Sequence, residues 1–123
     1  MYYERNEGTE QEAVINWCEF MAFRYPDLSL IYHIPNGGKR GKSEAARMKR
    51  QGVKAGVPDL CLPVPRSGFH GLYIEMKFGK GRTSEDQDKW IGNLKAQGYY
   101  CAVCFGADAA IRTICEYMHI KGA

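Results

Sequence analysis

Two acids and a lysine near the middle of the chain have a spacing that would let them act together. Glu75 and Lys77 lie two residues apart in the segment 71–78, where apolar and polar residues alternate. A period of two is typical of a β-strand, so Glu75 and Lys77 should share one face of it. If the strand that begins at Asp59 pairs with this segment as an antiparallel hairpin centred on Ser67, Asp59 lies opposite Glu75.

Such a pair of acids is suited to holding a metal ion. Two carboxylates about 4 Å apart repel by about 1 kcal/mol in water and by several-fold more at low dielectric. A divalent cation would offset this repulsion, and carboxylate oxygens without a neighbouring His or Cys favour Mg²⁺ or Mn²⁺. Lys77 could position a water or stabilise charge on a phosphate, which completes the groups needed for phosphodiester hydrolysis. Alternatively, Asp59 caps a turn, and Glu75 and Lys77 form a weak exposed ion pair.

The positive charge of the chain is concentrated in one segment. The stretch from residue 39 to residue 54 has Glu44 as its single acid, and two more basic residues follow the strand that carries Lys77. Clustered basic side chains are typical of surfaces that bind the phosphates of nucleic acids, although they also occur on solvated helix faces. The predicted nucleic-acid-binding residues are Lys39, Arg40, Lys42, Arg47, Lys49, Arg50, Lys54, Lys80 and Arg82.

The hydrophobic periodicity predicts the elements that must position these residues. Their order is α-β-α-β-β-α-β-α, which indicates an α/β fold with a mixed central sheet flanked by helices. The helices are expected at about 9–25, 43–51, 84–98 and 107–119. The strands are expected at about 28–34, 59–63, 71–78 and 99–105. Thr9 with Glu12 and Ser84 with Gln87 fit the pattern of a capping box at a helix start.

Several motifs in this chain resemble those of a known nuclease family. The segments Gly56-Val57-Pro58-Asp59-Leu60 and Tyr73-Ile74-Glu75-Met76-Lys77 resemble the PD-(D/E)XK nuclease motif. The VRR-NUC branch of that superfamily is similar over about residues 7–114. Its further motifs are Pro35-Asn36-Gly37-Gly38, Gly52-Val53-Lys54-Ala55-Gly56, Gly81-Arg82-x-Ser84-x-x-Gln87 and Gln97-Gly98-Tyr99. The resemblance implies a restriction-endonuclease-like core, and stand-alone members occur in phages and bacteria.

The resemblance also implies roles for individual residues. Asp59, Glu75 and the carbonyl of Met76 would bind the metal, and Lys77 would be catalytic. Gln87 would orient Lys77 or a phosphate.

The family also uses a glutamate from the first helix, and three residues compete for that role. Glu7 is the predicted catalytic glutamate, because it fits the family's spacing to Gln11 and Trp17. Glu10, which lies on the same helical stripe, is the next candidate. Glu12 is expected to serve in the capping box instead. If Thr9 is the N-cap, Glu7 falls outside the helix.

The composition indicates one globular domain. The chain has 123 residues, of which 45% are hydrophobic and 25% charged, and residues 1–123 are treated as a single domain. With no long apolar run and no apolar leader, it is expected in the cytoplasm of a bacterium or a phage-infected host. The five cysteines are expected to be reduced. Cys101 and Cys104 should point to opposite faces of a strand, which argues against a zinc site.

These observations lead to an expected function. We expect a Mg²⁺- or Mn²⁺-dependent endonuclease acting on DNA, selective for branched structures such as four-way junctions, and a homodimer. The last helix offers an apolar stripe as a candidate dimer interface, unless that stripe packs against the sheet. Its members are Ile111, Ile114, Cys115 and Met118. The alternatives are a non-catalytic DNA-binding module on the same fold and a general DNA or RNA phosphodiesterase.

Overall fold

The strands form one four-stranded mixed sheet, seen in a computed structural model that describes residues 4–36 and 41–121. The strands are β1 (Tyr32–His33), β2 (Leu60–Leu62), β3 (Leu72–Lys77) and β4 (Tyr100–Phe105). They lie in the order β1-β2-β3-β4, with β3 and β4 parallel and the other two pairs antiparallel. The helices are α1 (Glu7–Met21), α2 (Lys42–Arg50), α3 (Glu85–Ala96) and α4 (Ala107–Met118). The predicted α/β class and element order are confirmed, with one extra 3₁₀ helix.

The hairpin of β2 and β3 has the register predicted from its turn. Leu60 pairs with Ile74, and Leu62 pairs with Leu72. One step further along the same register, position 59 lies opposite position 75. Because side chains alternate along a strand, residues 72, 74 and 76 all face the core, while 73, 75 and 77 face the other side.

The core lies on the face of the sheet that carries α1 and α4. Leu60, Leu72, Ile74 and Met76 are at most 1% exposed there, and they pack with Val14 of α1 and Ile114 of α4. Burial of each such Leu or Ile side chain contributes roughly 1.5–3 kcal/mol. The apolar stripe of α4 is therefore used inside the chain: Ile114, Cys115 and Met118 are buried in the core, and Ile111 packs against it. The candidate dimer interface on this stripe was wrong.

The first helix begins earlier than the sequence pattern predicted. Asn6, and not Thr9, is the N-cap: its side chain accepts a hydrogen bond from Thr9 N, and Thr9 Oγ1 accepts one from Asn6 N. The capping box of Thr9 with Glu12 was therefore wrong, because Thr9 is the third helical residue of a box that Asn6 begins. As a result, Glu7 lies inside α1 as its first residue. The helix also ends sooner, at Met21, and Tyr25 N donates to the Met21 carbonyl beyond it.

The strand predicted for 28–34 is shorter, and its first three residues belong to a short helix. Pro26–Leu30 forms a 3₁₀ helix, and only Tyr32–His33 remains as strand. Pro26 suits a first helical position because its ring fixes φ and its missing N–H is not needed there. The apolar run is explained by Leu28, which is fully buried in the core, whereas Leu30 is 50% exposed.

The remaining boundaries differ from the predictions by a few residues. Gly41 precedes α2, so this helix begins and ends one residue earlier than predicted. The capping box of Ser84 and Gln87 at the start of α3 is confirmed. All five cysteines are free, and no helix within residues 4–36 and 41–121 is long and apolar enough to cross a membrane.

Candidate metal centre and active site

Three carboxylates from distant parts of the chain meet at one point. Glu7, Asp59 and Glu75 each offer an oxygen, and these oxygens all lie within 4.8 Å of one another. Glu7 comes from the first turn of α1, Asp59 from the residue before β2, and Glu75 from the middle of β3. The hairpin register brings Asp59 to Glu75, and the Asn6 cap starts α1 early enough to include Glu7.

Asp59 is held by its backbone and its side chain. It is 7% exposed and follows Pro58, which is fully buried. Its Oδ2 accepts a hydrogen bond from the backbone N–H of Met76 over 2.7 Å. Its carbonyl accepts one from the backbone N–H of Ile34, also over 2.7 Å, and His33 Nδ1 lies 2.9 Å from the same carbonyl. The carboxylate is therefore preorganised rather than free to rotate.

Glu75 is the most deeply buried of the three acids, at 1% exposed. Its Oε2 lies 3.4 Å from Lys77 Nζ and accepts a hydrogen bond from Gln87 Nε2 over 3.2 Å. Its Oε1 is buried and has no hydrogen-bond partner, which is the case for no other side-chain oxygen or nitrogen of the described residues. A buried polar atom without a partner costs about 1–3 kcal/mol, and more when charged, so Oε1 indicates a position that a bound group would satisfy.

The electrostatics of the site favour a cation. Burial and the neighbouring Asp59 raise the pKa of Glu75 to about 8. Burial also raises the pKa of Glu7, where the attraction of Lys77 acts against burial and Asp59. When all groups are ionised, three carboxylates and one ammonium leave a formal charge of −2. A divalent cation would balance that charge and coordinate Glu75 Oε1, so the residues present fit a hard divalent ion.

Two other predicted residues lie against the acids. Met76 gives its N–H to Asp59, while its side chain is fully buried in the core, so any metal contact would come from its carbonyl. Gln87 was expected to orient Lys77 or a phosphate, and the structure instead places its amide on Glu75. Its Oε1 accepts from Ser84 N in the capping box while its Nε2 donates to Glu75. The side chain of Gln87 thus completes the capping box of α3 and also connects that helix to the acidic site.

The other two candidate glutamates of α1 lie outside the cluster of carboxylates. Glu10 is buried, but its carboxylate is occupied by Arg5 and by the backbone N–H of Ala107, and these contacts lower its pKa. Glu12 is exposed. Among the described residues of α1, the structure therefore brings Glu7 to Asp59 and Glu75. It does not bring Glu10 or Glu12 there.

Four of the predicted basic residues, Lys42, Arg47, Lys49 and Arg50, lie on α2. None of the residues of α2 is buried, and its basic side chains project from it, with Arg47 3.7 Å from Glu44. An open groove of about 400 Å³ lies between the end of α2 and the segment leading to Asp59, lined by Lys54, Val57 and Trp90 among others. Lys42, Arg47, Lys49, Arg50, Lys54, Lys80 and Arg82 are all exposed. Lys39 and Arg40 lie outside the described residues.

Sequence reasoning missed an apolar surface beside the acids. Val103 and Phe105 of β4 pair in register with Glu75 and Lys77, so they share that face of the sheet. They are 39% and 51% exposed. The last strand is apolar throughout, so its sequence does not distinguish its two faces. The parallel register shows that Val103 and Phe105 stand next to Glu75 and Lys77.

Gly56 explains why the segment before Asp59 can lie so close to α3. It has a φ of +91°, and a Cβ there would lie 2.7 Å from the backbone carbonyl carbon of Asp86. A side chain would push this segment away from the first turn of α3, the same turn that carries Gln87. The glycine therefore allows the segments on both sides of the acidic site to approach each other.

Comparison with known proteins identifies the family. The family model described as VRR-NUC domain matches residues 5–108. A solved structure described as a VRR_NUC domain protein is 35% identical, with a TM-score of 0.81 over 97% of this chain and 93% of that chain. No curated protein matches the chain. A VRR-NUC domain has a nuclease-type fold, which suggests nuclease activity, DNA as the substrate and use of a divalent metal. With this match and this fold, the chain belongs to the VRR-NUC family.

Proposed function

We propose that the protein is a metal-dependent endonuclease that hydrolyses phosphodiester bonds of DNA, with a preference for branched DNA such as four-way junctions. One observation carries the proposal: three carboxylates converge within 4.8 Å beside Lys77, and Oε1 of the buried Glu75 is left without a partner. A domain that only bound DNA would have no need to maintain this repulsion.

The acids would hold Mg²⁺ or Mn²⁺, with the carbonyl of Met76 as a further ligand. Bound there, the cation supplies Lewis acidity toward a phosphate oxygen and makes a water easier to deprotonate. Asp59 and Glu75 come to the site already oriented by Met76 N–H and Gln87, so little order has to be gained on binding.

Lys77 would act on the phosphate directly. Its Nζ lies 3.4 Å from Glu75, and its side chain is 9% exposed, so its charge is poorly screened by water. An ammonium in this position can donate to a phosphate oxygen as negative charge develops, or hold the attacking water in line. Glu75 holds Lys77 in place through this contact, while Gln87 restrains Glu75.

The DNA would reach this site along the basic surface. The exposed side chains of α2, with Lys54, Lys80 and Arg82, are suited to phosphates rather than to base edges. Phosphate contacts follow the path of the backbone, so we propose that selectivity comes from DNA shape.

A homodimer would match the symmetry of a four-way junction. The described part of the chain has one carboxylate triad, and one site cuts one strand. Resolving a junction requires two symmetric cuts, and a two-fold dimer places two equal sites in the required relation.

The experiment is a cleavage assay on four-way junctions, flaps, linear duplex and single strands, with Mg²⁺, Mn²⁺ or EDTA. We expect cleavage only with metal and fastest on branched DNA. Asp59→Asn should abolish it, whereas Glu12→Gln, which removes an exposed acid of α1, should not.

Three results would contradict the proposal. Wild-type rates from Asp59→Asn would exclude the carboxylate site. Binding of DNA without cleavage under all conditions would indicate a non-catalytic module. Equal cleavage of branched DNA, linear DNA and RNA would indicate a general phosphodiesterase.

A further inference from the structure

Glu10 is a buried acid that the proposed metal site does not use. It lies one helical turn after Glu7 and is 5% exposed. Its carboxylate is ion-paired with Arg5 through two contacts, Nη2 to Oε1 at 2.9 Å and Nε to Oε2 at 3.2 Å. Its Oε1 also accepts a hydrogen bond over 3.0 Å from the backbone N–H of Ala107, the first residue of α4. We call these contacts of Arg5, Glu10 and Ala107 the helix tether.

The tether reaches Lys77 through two residues, its hydrogen-bond partner Gly106 and its chain neighbour Phe78. Gly106, just before Ala107, donates its N–H to the carbonyl of Lys77 over 2.9 Å. Phe78, just after Lys77, has its ring 5.1 Å from the guanidinium of Arg5. A Cβ on Gly106 would lie 3.3 Å from Glu10 Oε1, so the two segments are in close contact. The tether therefore joins the first turns of α1 to the end of the strand that carries Glu75 and Lys77.

Besides the tether, the start of α1 is held by its own cap and, one turn after Glu7, by the contact of Gln11 Nε2 with His33 Nδ1 at 3.1 Å. Asn6, Glu7 and Gly8 are all exposed, whereas the core contacts of α1 begin with Ala13 and Val14. Glycine at the second helical position has more backbone freedom to lose than any other residue. Without the tether, Glu7 would be carried by a turn held mainly by its own cap and by the exposed contact of Gln11.

We infer that Glu10 is a positioning residue, which holds the first turn of α1 so that Glu7 reaches Asp59 and Glu75, with Arg5 as its counter-charge. The inference rests on the proposed metal site, and it assigns to the second glutamate of α1 a role distinct from metal binding. Groups that orient a metal ligand typically change metal affinity by 10- to 100-fold when removed.

The test is a double-mutant cycle on metal affinity, read by calorimetric titration of Mn²⁺ without DNA. Glu10→Ala should weaken Mn²⁺ binding by about tenfold or more. In a Glu7→Gln background, the same change should have no further effect, because the ligand being positioned is already lost. Glu10→Gln keeps an acceptor for Ala107 N–H, so its loss should be smaller. Glu12→Ala is the matched control on the same helix and should bind Mn²⁺ as the wild type does.

Several outcomes would overturn the inference. Wild-type Mn²⁺ affinity in Glu10→Ala would do so. An equal loss in the wild-type and Glu7→Gln backgrounds would also do so, since it would indicate a general effect on the fold. If Glu10→Ala does not fold, as judged by circular dichroism, Glu10→Gln replaces it in the same cycle.

A second readout separates this inference from the proposed function. Amide hydrogen exchange of residues 7–11 in the metal-free protein should be faster in Glu10→Ala than in Glu12→Ala. If the wild type binds no Mn²⁺ or cleaves no DNA, the proposed function fails, and exchange still decides whether the tether exists. Unchanged exchange would refute the tether whatever the protein cleaves.

Discussion

Replacing Glu75 by glutamine should stabilise the metal-free protein while it removes metal-dependent cleavage. The change is nearly isosteric and keeps an oxygen that can accept from Gln87. It removes the negative charge that faces Asp59. It also removes the carboxylate oxygen Oε1, which has no hydrogen-bond partner in the wild-type site. A residue held for metal binding at the expense of stability should behave in this way.

The size of the effect follows from the pKa of Glu75. The folded protein raises it from 4.5 to about 8. A raised carboxyl pKa means that the folded state binds the proton more tightly, so stability is greatest below pH 4.5 and falls as the pH rises toward 8. At pH 7 the loss is about 3 kcal/mol. Glutamine avoids most of this loss, so we expect a net gain of about 1–3 kcal/mol, or roughly 4–12 °C in Tm.

The assay is thermal and urea unfolding in EDTA between pH 5 and pH 8.5. The wild type should lose stability across this range, and Glu75→Gln should lose much less. With Mn²⁺ in excess the order should reverse, because a cation that binds only the folded wild type stabilises it. Glu12→Gln, an exposed acid of α1, serves as the charge control and should follow the wild type.

Two results would refute the reasoning. One is a variant less stable than the wild type in EDTA at pH 8, which would mean that Glu75 supports the fold through Lys77. The other is the same pH dependence of stability in both proteins, which would mean that the Glu75 carboxyl is not the group whose titration changes the free energy of unfolding.

Three further predictions concern the backbone, the basic surface and the assembly. Gly56→Ala should lower the free energy of unfolding, measured in urea, by at least about 1–3 kcal/mol, because it combines a positive φ with a clash against Asp86. Gly52→Ala is the control: it has a positive φ but open space, so it should cost less, and equal losses would exclude the clash. Lys49→Ala and Arg50→Ala should each reduce the slope of log affinity for junction DNA against log salt by about 1, and an unchanged slope would remove that residue from the phosphate contacts. Analytical ultracentrifugation at micromolar concentration should show a dimer, and a monomer would contradict the proposed assembly.

The pairing of Asp59 with Glu75 could be predicted from the sequence because it depends on local rules. Alternation along β3 assigns residues to faces, and the length of the turn centred on Ser67 assigns opposite partners. The capping box of Ser84 and Gln87 was predictable for the same reason, since its two hydrogen bonds join residues three apart.

Local rules did not decide which helix glutamate belongs to the site, and only the spacing of the family resemblance favoured Glu7. Asn6 and Thr9 are both good caps, and the choice between them decides whether Glu7 belongs to α1. Glu7 and Glu10 lie one turn apart on the same helix, so periodicity treats them alike.

A tertiary contact of Glu10, together with its local ion pair to Arg5, separated their roles. The partner that draws Glu10 away from the metal site is the N–H of Ala107, which is 97 residues distant in the chain. The sequence determined the acids of the hairpin, the fold class and the family, because helical period, strand alternation and turn length act over a few residues. The tertiary structure decided which carboxylate completes the site, because that depends on where α4 begins in space.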